Sequence, residues 1–224
     1  MDNQVILYSG GLDSVLLAAE YPKAKRVYFD MKTRYAQEEM KQLPADVIID
    51  TTFNFENIER DDAIIPSRNL YLVTRAADYG SNIYMAVTSG DSIKDKDADF
   101  FRQAQALLNH MNDSWYGTGD EIYLHTPLKK LSKAQAINQY LAQGHSPQAL
   151  LDSFSCYTPD NGKQCGQCKC CVRKFAALTA NGIDSLTSFA FPPTLSQAWQ
   201  TELETDRRGQ ESTDIKLVNS RIHE

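Results

Sequence analysis

The chain has 224 residues, 42% of them hydrophobic and 23% charged, the make-up of one globular domain, or of one domain with a small appendage. Its 23 Lys and Arg against 29 Asp and Glu leave a net charge of −6, which argues against a strongly basic nucleic-acid binder without excluding a local basic patch. No apolar run approaches the roughly 18–20 residues of a membrane span, and the N-terminal MDNQVILYSGG has no basic region and no cleavage signature, so a cytoplasmic enzyme with no membrane association is expected.

Val5–Tyr8 (VILY) is a short apolar run suited to a buried strand, broken by Ser9-Gly10-Gly11. Leu12–Glu20 carries apolar residues at 12, 15, 16 and 19, a helical spacing that Pro22 ends. Arg26–Asp30 reads as a second strand, Arg34–Leu43 as a helix and Val47–Asp50 as a third strand. A helix over Asn69–Tyr79 is entered from Pro66. A fourth strand follows at Ile83–Thr88, then a helix at Asp99–Met111 and a fifth strand at Glu121–His125. Ser132–Gln143 is a helix capped by Ser132 and closed by Gly144. Strands alternating with helices predict a parallel sheet covered on both faces, with ligands beyond the carboxyl ends of the strands. After Gly144 the pattern changes: a short helix over Ser146–Phe154, a polar stretch Cys156–Cys171, and a helix over Cys171–Ala180. The last twenty or so residues are polar with weak periodicity and read as a surface tail. The expected division is an α/β domain over 1–144, and a helical metal-binding subdomain with its tail over 145–224.

Ser9-Gly10-Gly11-Leu12-Asp13-Ser14 joins the first strand to the first helix. Two glycines let the backbone turn tightly and approach a ligand. Amides at a helix start, with the helix dipole, favour an anion, and the Ser9 and Ser14 hydroxyls suit phosphate oxygens. Asp13 is the odd member, because a carboxylate repels phosphate. It makes sense as a cap on the loop's amides or as the holder of a magnesium ion that bridges to phosphate. The segment is neither a Walker A loop nor G-x-G-x-x-G.

All five cysteines lie between Cys156 and Cys171. A secreted disulfide scaffold would spread them through the chain, whereas one tight cluster reads as a metal site. Cys165, Cys168 and Cys171 form C-x2-C-x2-C, and Cys156 stands nine residues earlier. Four thiolates close a tetrahedral structural zinc site with no open position for catalysis. Cys170 is spare. The rival is an iron–sulfur cluster, but the ferredoxin run continues x3-C-P and that position here is Phe175.

SGGLDS resembles the PP-loop of ATP pyrophosphatases, and the loop together with C-x8-C-x2-C-x2-C resembles the 7-cyano-7-deazaguanine synthase (QueC) family. Phe29, Asp30 and Arg34 match the family's F-D-Y-G-Q-R-H phrase, and Ile65-Pro66-Ser67-Arg68-Asn69 matches its V-P-x-R-N. Thr126-Pro127-Leu128 with Lys133 matches its T-P-L and lysine, and Ser155-Cys156 its S-C. The resemblance spans about Val5 to Leu178. It implies a PP-loop fold (adenine nucleotide alpha hydrolase-like, Rossmann-like) with a small C-terminal helical zinc-binding subdomain. It also implies ATP-dependent conversion of 7-carboxy-7-deazaguanine and ammonia to the nitrile through adenylated acid and amide. ATP with magnesium would sit on Tyr8, Ser9, Gly10, Gly11, Leu12, Asp13, Ser14 and Val15. Asp13, Arg68 and Lys133 would be catalytic. Arg34, Arg68, Asn69, Asp91 and Asp97 would meet the substrate, and Cys156, Cys165, Cys168 and Cys171 would hold zinc. A homodimer and no direct nucleic-acid binding are implied as well.

The sequence departs from the family after its fourth strand, where D-x-S-G-Y-P-D-x-R is replaced by Asp91 followed by Ser92–Phe100. Met31, Thr33 and Tyr35 replace the family's Tyr, Gln and His. These departures motivate an alternative that stops at 7-amido-7-deazaguanine. Further alternatives are a PP-loop enzyme acting on RNA and a nucleotide-binding regulator without turnover.

Overall fold

A computed structural model describes residues 3–91, 93–112, 119–205, 209 and 211–216. Strand and helix alternate as β1 (Gln4–Leu7), α1 (Leu12–Glu20), β2 (Lys25–Phe29), α2 (Ala36–Lys41), β3 (Ile48–Asp50), α3 (Arg68–Ala76), β4 (Asn82–Tyr84), α4 (Ala98–Met111), β5 (Tyr123–His125) and α5 (Lys133–Ala142). The strands form one parallel sheet in the order β3-β2-β1-β4-β5. Neighbours run outward from β1 in both directions, so the switch point lies between β1 and β4. A crevice opens there beyond the strand ends.

Alternate residues of β1 face opposite layers, as a buried parallel strand requires. Ile6 joins Leu12, Leu16 and Leu17 of α1 and Ile137 and Tyr140 of α5 in one apolar cluster. Val5 joins Val27 and Ile83 with Val73 and Ala76 of α3 and Ala104 and Leu108 of α4 in the other. α5 opens with a capping box: Ser132 Oγ accepts from Gln135 N at 3.2 Å, and Ser132 N donates to Gln135 Oε1 at 2.8 Å.

The expected fourth strand stops early, at Tyr84. Met85 N still donates to His125 O at 2.9 Å, but Val87 N then donates to Met85 O at 3.1 Å. That turn takes Thr88–Asp91 out of the sheet and towards the crevice. Ser92 of the divergent segment lies outside the described residues.

Beyond Gly144 come α6 (Gln148–Asp152), α7 (Lys169–Ala180) and α8 (Gln197–Glu204). Ala177 and Leu178 of α7 belong to the cluster around Ile6 and Leu16. Val172 and Phe175, one and four residues past Cys171, pack instead with Phe154, Phe189, Leu203 and Ile215. The expected surface tail is corrected in part. Residues 211–216 are helical, with Glu211, Ser212 and Ile215 buried. One apolar residue in six gives no period to detect, and a buried Glu reads from sequence as a surface residue. The rest of the expected tail, 206–208, 210 and 217–224, lies outside the described residues.

Candidate active site

The glycine loop lies at the switch point. Gly10 takes φ +72°, a conformation that favours glycine. α1 begins after Gly11, and no side chain on its own N-cap satisfies its first-turn amides. One of these, Leu12 N, donates to Ser155 Oγ at 3.0 Å, while Phe154 N donates to Gly10 O at 2.9 Å. The loop is therefore pinned to the segment that leads into Cys156. Ser14 Oγ donates to Gly11 O at 2.9 Å and stands 3.4 Å from Ser9 Oγ, which folds both hydroxyls into the loop. Tyr8, Ser9, Gly11, Leu12, Asp13 and Ser14 line a pocket. Val15 packs against the apolar cluster of α1 and α5 instead, as its place one turn into the helix dictates.

Asp13 pairs with Lys133 at the start of α5, and both line the pocket. Lys133 Nζ donates to Asp13 Oδ2, while Asp13 Oδ1 is buried with no hydrogen-bond partner among the described residues. A buried carboxylate oxygen left over beside a glycine loop fits a hard cation such as magnesium.

Asp91 accepts from Thr88 N at 3.0 Å and forms ion pairs with Lys96 at 3.5 Å and Arg173 at 3.2 Å. Burial alone would push its carboxyl up. Lys96, Arg173 and Lys133 outweigh that and hold it well below the usual range. Asp91 thus fixes two cations of the pocket wall.

Arg68 and Asn69 open α3 and line the pocket. Asn69 is buried, and its Nδ2 donates to Asp95 O at 3.1 Å, holding the turn over Lys94–Lys96 that carries Lys96. The Arg68 side chain makes no hydrogen bond or ion pair among the described residues, whereas Lys96, Lys133 and Arg173 are each paired with an acid. Glu39 of α2 lines the same pocket and accepts from Tyr28 Oη at 2.8 Å. Burial pushes its carboxyl up to about 7, against the Tyr28 hydrogen bond and the Arg68 charge.

Two expected substrate residues do not line this pocket. Arg34 Nε donates to Glu59 Oε1 at 2.8 Å, and its Nη atoms bind the carbonyls of Arg60 and Asp61, so it ties down the loop after β3. Asp97 caps α4, accepting from Phe100 N at 2.8 Å. Its carboxyl is spent on the helix start, a role that its place just before an amphipathic run announces.

The four predicted metal ligands do converge. One sulfur from each of Cys156, Cys165, Cys168 and Cys171 lies within 4.8 Å of the others. Cys165 and Cys171 are 3.9 Å apart and Cys168 and Cys171 3.5 Å, close to the edge of about 3.8 Å that a tetrahedron of 2.3 Å Zn–S bonds requires. The amides of Gln167 and Cys168 donate to Cys165 Sγ, each at 3.3 Å. Gly166 allows this turn with φ +79°, and a Cβ there would meet Phe191 O at 2.0 Å. Hydrogen bonds from Cys156 and Cys171 pull the Cys168 thiol down to about 2. Zinc fits this donor set. Cys170, the spare thiol, lines the glycine-loop pocket instead.

Sequence reasoning passed over Glu39, Lys96, Arg173 and Glu211. For Arg173 a signal existed: two residues past Cys171 on a helix is about 200° round the axis, so a helix turned to give Cys171 to the metal turns Arg173 to the other side. For Glu211 there was none.

A family profile described as "Queuosine biosynthesis protein QueC" matches residues 45–182. A 7-cyano-7-deazaguanine synthase of Xylella fastidiosa strain M23 is 25% identical, over 84% of this chain and 96% of its own length. One of Leptospira biflexa is 30% identical, over 54% of this chain and 50% of its own length. Among solved structures, a predicted subunit of a tRNA methyltransferase from Methanocaldococcus jannaschii is 16% identical. It superposes with a TM-score of 0.40 over 67% of this chain and 92% of its own, too loosely to bear on function.

Proposed function

The chain belongs to the QueC family of queuosine biosynthesis proteins, and from that premise we propose that it is an ATP-dependent ligase that converts 7-carboxy-7-deazaguanine and ammonia to 7-cyano-7-deazaguanine. The observation that carries this reading is Arg68. It is the pocket cation whose side chain forms no direct ion pair among the described residues, with Asp95 and Glu39 acting on it only through their charge, beside a glycine loop suited to phosphates. An arginine fork suits a carboxylate because it offers two parallel donors.

The chemistry needs both features. A carboxylate is a poor electrophile, since its leaving group would be oxide. One carboxylate oxygen attacks the α-phosphorus of ATP, the bond to the bridging oxygen breaks, and pyrophosphate leaves. The lone pair of ammonia then adds to the acyl carbon. AMP departs with its oxygen, a proton is lost, and the amide remains. The amide oxygen attacks a second ATP in the same way. Loss of AMP and of two N–H protons over the two steps leaves the nitrile. Magnesium bound with ATP would supply charge neutralisation on the phosphates, with the free Asp13 Oδ1 as its protein ligand. The loop amides and Lys133 offset developing charge on the pyrophosphate side. Arg68 orients the acid, and Asn69 keeps Lys96 in the wall by holding its turn. The cysteine site holds zinc in a structural role. A homodimer, ammonia as the nitrogen source, a cytoplasmic setting and no direct nucleic-acid contact complete the proposal. No helix among the described residues is long and apolar enough to cross a membrane.

The test is mass spectrometry of the products formed from ATP, magnesium, ammonium and 7-carboxy-7-deazaguanine. Nitrile with AMP and pyrophosphate is the expected result. Amide alone would move the enzyme to the truncated reaction. An untouched acid would overturn the substrate assignment.

A further inference from the structure

One buried charge cluster has no part in the reaction above. Arg173 on α7 lines the loop pocket, and its side chain is only 11% exposed. Two acids hold it. Its Nη2 donates to Asp91 Oδ1 at 3.2 Å, while Nε and Nη2 meet the two oxygens of Glu211, the second at 3.0 Å. That fork fixes the plane of the guanidinium as well as its place. Nη1 makes no hydrogen bond among the described residues and is the donor left for a ligand.

Glu211 reaches Arg173 from the helical segment 211–216, beyond residues 45–182 where the family profile matches. The chain is shaped to receive it: a Cβ on Gly90 would lie 1.4 Å from Glu211 Oε2. The cluster is continuous with the loop. Asp13 acts electrostatically on Arg173, and Lys133 on both Asp91 and Glu211.

We propose that Arg173 is a second phosphate-binding cation of the nucleotide site, and that Glu211, on the C-terminal segment, is the positioning residue that aims it. This rests on the loop holding a nucleoside triphosphate, and not on which acid is activated. A clamp of two acids on one arginine would bury charge for little net stability. It becomes useful if the clamped guanidinium must present its remaining Nη1 donor to an anion in a fixed orientation.

The experiment is calorimetric titration of the full, zinc-loaded chain with two probes, Mg-ATP and adenosine. Arg173→Lys keeps a positive charge between the buried acids, so the fold has what it needs, but it loses the fork. It should weaken Mg-ATP about 10-fold, the scale of one charge-assisted hydrogen bond, and leave adenosine unchanged. Glu211→Gln should weaken Mg-ATP alone, although removing a negative charge would by itself tighten it. Glu211→Asp should restore part of the loss, and Gly90→Ala, which alters no charge, should reproduce it. Equal losses for both probes, no loss for either, or tighter Mg-ATP in Glu211→Gln would overturn the proposal. A wild-type chain that binds no ATP would overturn the loop reading with it. ATP bound normally with no acid consumed would count against the substrate alone.

Discussion

The cysteine knuckle and the glycine-loop pocket share helix α7, yet they are built in opposite ways. The knuckle draws its four sulfurs from one stretch, residues 156–171, and sets their geometry with short-range bonds such as the Gln167 and Cys168 amides on Cys165 Sγ. The pocket gathers Ser9, Glu39, Arg68, Asp91, Lys133 and Arg173 from separate elements, and Asp91, Lys133 and Arg173 are placed by partners far away in sequence. α7 serves both, giving Cys171 to one and Arg173 to the other. Phe154 and Ser155, just before Cys156, bond to Gly10 and Leu12 of the loop. The difference suggests a division of labour in which the local site acts as a staple for the distributed one.

The strongest way to break this comparison is to remove the staple. Cys171→Ser, or exhaustive chelation, should release the metal and unfold the C-terminal part, since structural zinc supplies on the order of 10 kcal/mol to small zinc-dependent folds. Through Phe154 and Ser155 the loop should lose its anchor, and ATP binding should vanish together with bound zinc. Metal analysis and ATP titration on one sample check this. Unaltered ATP affinity in metal-free protein would show that the two regions are independent.

The same contrast explains what could be read in the sequence. The parallel α/β order followed from strand and helix alternation, and the knuckle from spacing, because both are short-range signals. The loop, with Asp13, was legible for the same reason. Lys133, Arg68 and Asn69 came only through the family resemblance, since nothing near them announces a pocket. Asp97 also came only through the resemblance, and the structure gives its carboxylate a different task, since it accepts from the Phe100 amide as the N-cap of α4. Glu211 was invisible: its partner Arg173 is 38 residues away, and only tertiary packing brings them together.

A change inside the pocket should spare the knuckle. Asp13→Asn leaves Lys133 its neighbour's shape but removes the charge and the free carboxylate oxygen. Pyrophosphate release should fall about 10²–10³-fold, the scale of losing one preorganised electrostatic group, with zinc content unchanged. Retained turnover would remove Asp13 from the proposed site.

Glu39 offers a test on stability. Its folded value of about 7 lies above that of an exposed glutamate. Between roughly pH 4.5 and 7 the native state therefore binds a proton that the unfolded state has released. Stability from this group is full at the acid end of that window and is lost as pH rises through about 7, by at most about 3 kcal/mol. Glu39→Gln should flatten that slope and leave the variant the more stable protein at pH 8. Denaturant melts from pH 5 to 8 measure it, and parallel curves for the two proteins would contradict the buried-acid reading.

Arg34 should give the smallest effect, and it sharpens the boundary of the pocket. Its side chain is 40% exposed, and its donors are used on Glu59 and on the carbonyls of Arg60 and Asp61. A partly exposed pair of this kind contributes about 1 kcal/mol or less. Arg34→Ala should therefore lower stability slightly through the loop after β3 and leave kcat/KM within about twofold, because Glu59, Arg60 and Asp61, which its side chain binds, do not line the pocket. A tenfold fall in kcat/KM without loss of stability would mean that Arg34 leaves Glu59 when substrate binds. The pocket would then extend past Arg68 to the start of α2, and more of its construction would depend on the ligand than the free protein reveals.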